Sequence, residues 1–185
     1  GYDKPLLAPV TFSMTHGEKI VLKGFNGVGK STLIKSILGK IPVFEGTANF
    51  GDAVKIGYFN QDLVWDDATQ TPLQTIQNID PLLEPKTIRQ KLARAGINAA
   101  NAMQPLNLLS GGEQTKVKLC ILELHPTNFL ILDEPTNHLD DETKDALRQA
   151  LISYPGNVIL VTHEASFYRR WVDRIIDVEA LRKTK

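Results

Sequence analysis

A chain of 185 residues has room for one ordinary α/β domain and buries roughly 70% of the surface its unfolded form would expose. Its 21 basic and 21 acidic residues cancel to a formal net charge of zero, which excludes a global field drawing it to nucleic acid or anionic lipid; any such partner has to be met by a local patch. One cysteine, Cys120, lies in the apolar run 117–124 and reads as a buried small hydrophobe, so a disulfide framework is excluded and a reducing cytoplasm fits.

Residues 19–24 form a short β-rich run closed by glycine, and residues 30–38 carry Leu33, Ile34, Ile37 and Leu38 at helical spacing before Gly39. This predicts strand, loop and helix. Residues 45–59 predict a hairpin around Gly51-Asp52, with 54–58 alternating on its return arm. From 62 to 108 the character changes: acidic Asp62, Asp66 and Asp67, several prolines, then short amphipathic pieces such as 87–95 with Ile88, Leu92 and Ala95 on one face. The expectation is a small helical subdomain inserted into a core formed by 1–61 and 109–185, the whole being a single domain. A helix over 111–123, a strand over 129–133, a helix over 141–152 and strands over 157–162 and 174–178 continue an alternation that implies a mainly parallel sheet. No apolar stretch approaches the ~20 residues that span a bilayer, and Gly1-Tyr2-Asp3-Lys4-Pro5 lacks the apolar core of a signal peptide. A soluble domain is expected, and it starts abruptly, as an excised one would.

Three segments carry chemistry. In the loop 24–31, glycines at 24, 27 and 29 permit a tight path that points successive N–H groups at phosphates, with the positive end of the next helix behind them. Lys30 would then reach the β- and γ-phosphates and Ser31 would ligate Mg²⁺. The strand Phe129-Leu130-Ile131-Leu132 is apolar throughout, as a strand covered on both faces is, and ends in two carboxylates. Asp133 would hold Mg²⁺ through its water shell, and Glu134 would orient and polarise the water that attacks the γ-phosphate. Ser110 and Glu113 make a capping box for the helix that follows. That box leaves Gly111-Gly112 unexplained, because glycine in a first helical turn costs stability unless something approaches the backbone closely, and a phosphate from another molecule would.

Taken together, the phosphate loop, Gln61 after a strand, Leu109-Ser110-Gly111-Gly112-Glu113-Gln114, Asp133-Glu134 and His163 after 158–161 resemble the full motif set of an ABC-type ATPase. Within that superfamily Leu132-Asp133-Glu134-Pro135-Thr136-Asn137-His138-Leu139-Asp140 resembles the ABC-F branch, paired-domain ATPases that act on ribosomes, and Gly57-Tyr58-Phe59-Asn60-Gln61 is similar to the second of its two domains. The resemblance implies a P-loop fold with a mainly parallel core sheet, an antiparallel hairpin and an inserted helical subdomain. It implies Mg²⁺-dependent ATP hydrolysis, slow in the isolated domain. Tyr2 would stack on adenine; Asn26, Gly27, Val28, Gly29, Lys30, Ser31 and Thr32 would hold the phosphates; and Gln61 would sense both Mg²⁺ and the attacking water. Ser110, Gly111 and Gly112 would bind the γ-phosphate of ATP held by a partner domain, Asp140 would cross the dimer interface, and His163 would contact the γ-phosphate.

Two departures stand out. His163 is followed by Glu164-Ala165-Ser166 where the branch usually has Asp-Arg-Tyr, and no long arm separates Gln61 from Leu109. A basic cluster, Arg169, Arg170, Arg174, Arg182, Lys183 and Lys185, is interleaved with Asp173, Asp177 and Glu179, and reads as a solvated face more readily than as an RNA contact. The function implied is a cytoplasmic translation-associated ATPase, with ribosome protection against antibiotics as one form of it. The motor subunit of a membrane transporter is the alternative, and both run the same chemistry.

Overall fold

Two strands that are buried at all five positions set the middle of the sheet: β3 (Phe129–Asp133) and β4 (Asn157–Val161). The computed structural model describes residue 7 and residues 10–60, 65–124 and 126–181. Among these, β1 (Lys19–Lys23), β2 (Ile56–Phe59), β3, β4 and β5 (Arg174–Asp177) form one sheet in the order β2-β3-β4-β1-β5. Every pairing is parallel, with Ile131 opposite both Tyr58 and Ile159, and Val21 opposite both Leu160 and Ile175.

Helices cover both faces, which is why the central strands are apolar without alternation. On one face Ile34 of α1 (Lys30–Ile37) packs with Ile20, Leu22, Ile131 and Ile159. On the other, Leu151 of α5 (Asp141–Ser153) and Phe167 of α6 (Ala165–Tyr168) pack with Val21, Leu132, Val158 and Leu160. Each fully buried Leu or Ile contributes about 1.5–3 kcal/mol over an exposed one.

A third cluster belongs to α2 (Pro72–Ile79), α3 (Pro85–Arg94) and the short turns after them, through Ile76, Ile88, Leu92, Ile97 and Leu106. The spacing of Ile88 and Leu92 on one face of α3 is as the sequence predicts. α2 starts with a capping box: the Thr71 hydroxyl accepts from Gln74 N–H and the Gln74 side chain accepts from Thr71 N–H. α4 (Gly111–Leu124) shares this cluster, burying Val117 and Cys120 in it, so the helical layer leans on the same element that follows Ser110.

The hairpin expected over 45–59 is not formed. Residues 45–55 hold no strand, and the return arm is instead β2, paired in parallel with β3. Its alternating pattern is satisfied by that neighbour, while Phe50 sets its ring edge-on against Phe129 at 5.5 Å and the chain turns at Gly51 through Val54 N–H to Gly51 O. Gly57 is required in β2, because a Cβ there would meet Leu122, Thr127 and Leu130 at 2.8–3.0 Å.

Candidate active site

The loops that leave the C-terminal ends of β1, β3, β4 and β5 converge at one edge of the sheet, the usual place for a ligand in an open parallel sheet. The loop after β1 turns through Gly27 and Gly29 at φ 79° and 111°, and Gly29 caps α1 with no side-chain acceptor for the first N–H groups of the helix. Asn26, Gly27 and Val28 line a shallow cavity of about 300 Å³ with Phe25 and Glu179. Ser31 and Thr32 lie in the first turn of α1.

Lys30 is 5% exposed, and its Nζ donates to Gly24 O at 2.6 Å and Phe25 O at 3.2 Å. Glu134 Oε1 stands 3.6 Å from the same nitrogen. On its other side Glu134 meets His163 Nδ1 at 3.1–3.2 Å through both carboxylate oxygens. Glu134 is itself 4% exposed, while the His163 side chain is half exposed. Lys30, Glu134 and His163, far apart in sequence, thus form one contiguous polar group.

Asp133 is fully buried at the end of β3, and among the described residues neither of its carboxylate oxygens has a hydrogen-bond partner. Burial pushes its carboxyl above the ordinary carboxylate value. The Ser31 hydroxyl is near enough to pull it back without a bond of good geometry, Glu134 raises it further, and Lys30 and Lys35 lower it. A buried, orphaned carboxylate is costly, and such exceptions call for an explanation in function.

The turn from Glu134 to Asp140 links this group to the start of α4. Glu134 and His138 adopt left-handed backbone, φ 48° and 66°, at a cost of about 1–3 kcal/mol each for residues with a Cβ. Glu134 N–H donates to Val161 O at 2.9 Å, which fixes the turn to β4. At the turn's far end a Cβ on Gly112 would lie 2.5 Å from His138 O, and one on Gly111 would lie 3.4 Å from the His138 ring. Gly112 therefore has an intrachain reason that the sequence reading missed: the His138 carbonyl occupies the space of its side chain. Ser110 and Glu113 form the expected capping box, Glu113 Oε2 accepting from both Ser110 N–H and Ser110 Oγ at 2.8 Å. Asp140 caps α5, accepting from Thr143 N–H at 2.7 Å, and pairs with Lys116 of α4 at 3.1 Å; these bonds hold its carboxyl well below the usual range.

The structure therefore places the expected residues in two groups. Lys30, Ser31, Asp133, Glu134 and His163 meet beside the first loop, whereas Ser110, Gly111, Gly112 and Asp140 meet at the opposite end of the 134–140 turn. Tyr2 and Gln61 lie outside the described residues, as do Arg182, Lys183 and Lys185. Of the basic cluster, Arg174 is tied down by Ser13 O at 2.5 Å and Glu18 at 2.9 Å, in place of a free phosphate-binding role. The sequence reading also missed Trp65, whose indole N–H donates to Gln114 Oε1 at 2.8 Å, and Lys144, paired with Glu164; both contacts span more than a helical turn and leave no local pattern.

The model of the ABC transporter family matches residues 7–137. An uncharacterized ABC transporter ATP-binding protein of Bacillus subtilis is 42% identical over 91% of this chain and 32% of its own length. ABC transporter F family member 5 of Arabidopsis thaliana is 37% identical over 96% of this chain and 26% of its own length. The chain thus spans about a third or less of these relatives. A solved dimeric ATP-binding cassette, in a post-hydrolysis state bound to ADP and Pi, superposes with a TM-score of 0.75 at 23% identity over 94% of this chain and 86% of that one. Among the described residues no helix is long and apolar enough to cross a membrane. The motif set, the parallel sheet and the family match agree: the chain belongs to the ABC transporter family as an ATPase domain of the ABC-F type.

Proposed function

We propose that this chain is the second ATP-binding domain of a cytoplasmic ABC-F protein that works on ribosomes, closing around ATP with a partner domain. The observation that carries the chemistry is the buried Lys30–Glu134–His163 group next to the unpartnered Asp133 carboxylate. The N–H groups of 26–32 and the Lys30 ammonium hold the β- and γ-phosphates, which displace Lys30 from the loop carbonyls and from Glu134. Asp133 and Ser31 supply hard oxygen donors that fit Mg²⁺, and with the phosphates they would hold it where it neutralises charge developing on the β- and γ-oxygens. Glu134 accepts a hydrogen bond from the attacking water and receives its proton as the γ-phosphoryl group leaves ADP, while His163 donates to the γ-phosphate from the side its contact with Glu134 defines.

The partner domain completes the site. Ser110, Gly111 and Gly112 sit away from the Lys30 group, free to hold the γ-phosphate of a second nucleotide at the start of α4, and Asp140 stands exposed beside them for the opposite domain. The solved cassette with ADP and Pi is itself a dimer, which supports this arrangement. The ribosomal role rests on Thr136-Asn137-His138 and on the F-family relative.

The test uses the full-length protein carrying Glu134→Gln. Blocked hydrolysis holds the closed state by population shift, so the protein should co-sediment with ribosomes in ATP and far less in ADP, with salt weakening the complex. Sedimentation with membranes through an integral partner would overturn the ribosomal reading and establish a transporter motor. If ribosome binding is found, antibiotic susceptibility of cells with and without the protein tests whether it protects ribosomes.

A further inference from the structure

We propose that Lys144 is a positioning residue for hydrolysis: its bidentate pair with Glu164 fixes the loop that presents His163 to Glu134. The inference rests on the reading of His163 as a γ-phosphate contact. Lys144 Nζ lies 2.9 and 3.1 Å from the two Glu164 oxygens, and both side chains are about a quarter exposed, so solvent screens the pair less than a surface one. Glu164 directly follows His163, and it stands where the ABC-F pattern would place Asp. The loop is otherwise held by His163 Nδ1 on Glu134, by Glu164 N–H donating to Thr162 Oγ1 at 3.1 Å, and by α6, which begins at once with Phe167 N–H on Glu164 O. His163 is half exposed, so packing alone does not determine its ring position. The Glu134 contact holds one edge of the ring, and an ion pair one residue away restrains the backbone that carries it.

The other end of Lys144 explains why this restraint matters. Lys144 N–H donates to Asp140 O in the first turn of α5, and the Asp140 carboxylate is held by Lys116 of α4 at 3.1 Å. The same first turn of α5 therefore contacts both the helix that begins at Gly111 and the loop that carries His163. A displacement of α4 on closure of a partner domain would reach His163 through α5 by two ion pairs, with no change in the sheet. The interaction is electrostatic and long in sequence, and its geometry is that of a clamp between two loops.

The test measures MgATP affinity and single-turnover hydrolysis in the full-length protein for the wild type, Lys144→Met, Lys144→Arg and the charge-reversed double variant Lys144→Glu with Glu164→Lys. Lys144→Met keeps the aliphatic stem and removes the charge. It should slow hydrolysis 5- to 20-fold with affinity unchanged within twofold and an unchanged melting temperature, and both Lys144→Arg and the reversed pair should restore the rate to within threefold. A rate for Lys144→Met equal to the wild type, or losses of affinity and melting temperature in step with the rate, would overturn the proposal. His163→Ala is measured alongside. If His163→Ala is slow while Lys144→Met is not, only the clamp is wrong; if His163→Ala hydrolyses normally, the reading of His163 falls and the clamp with it.

Discussion

Asp133 offers a separation of stability from activity that is rarely so direct. Its carboxylate is fully buried with both oxygens unpartnered, so the fold bears the desolvation of a charged group with no compensating bond. Asp133→Asn keeps the shape and removes the charge. An unsatisfied buried group costs about 1–3 kcal/mol, more when charged, and the amide retains part of that cost, so a net gain of about 1–2 kcal/mol is expected. In a domain of this size 1 kcal/mol shifts the melting temperature by about 2–4 °C, giving a rise of about 2–8 °C. The pH dependence follows from the raised carboxyl. Proton binding favours the native state, so the wild type's deficit is full above the native value and closes as pH falls through it toward the unfolded value. The advantage of Asp133→Asn should therefore be largest above the raised native value and shrink as pH falls through it. Differential scanning fluorimetry of the isolated domain, in chelator without nucleotide and in MgATP without chelator, reads both effects, and the nucleotide-induced stabilisation should be lost in the variant. A variant that melts at or below the wild-type temperature at pH 8 without nucleotide would refute the claim that Asp133 is held at a cost for a ligand.

Glu134→Gln should bind MgATP within threefold of the wild type while slowing single-turnover hydrolysis by about 10²-fold or more, as measured by phosphate release from the full-length protein. Gly112→Ala should lower the melting temperature of the isolated domain, a loss of about 1–3 kcal/mol, because the new Cβ would lie 2.5 Å from His138 O; alanine in an unobstructed helical turn would raise it. The Cys120 thiol is pushed up to about 11 by burial, with Glu123 adding to the rise, so alkylation by iodoacetamide at pH 8 should proceed at the unfolding-limited rate. Its ionisation is favoured in the unfolded chain between pH 9 and about 11, so stability should fall across that interval in the wild type and not in Cys120→Ala, by denaturant titration.

What could be read in the sequence was local. The phosphate loop, the fully apolar β3 with its two terminal carboxylates, the face of α3 that carries Ile88 and Leu92, and the Ser110–Glu113 box each announce themselves within a few residues, since strand burial, helical period and capping are short-range constraints. The hairpin failed for the same reason. Alternation over 54–58 says that one face of a strand is buried and nothing about whether its neighbour runs parallel or antiparallel, and Phe50 is held by Phe129, 79 positions along the chain. Gly112 was half legible: its cost in a first turn was visible, but the carbonyl that compensates comes from a left-handed turn at His138. Lys144 and Glu164 carry no signal until α5 and the loop after β4 are laid side by side.

The bond from Phe25 N–H to Glu179 Oε1, at 2.6 Å, joins the mouth of the phosphate loop to the short turn Glu179–Leu181 after β5. A truncation ending before Glu179 would leave β5 whole yet remove the carboxylate that accepts from Phe25 N–H, so the geometry of the loop's first peptide is set by a residue 154 positions away.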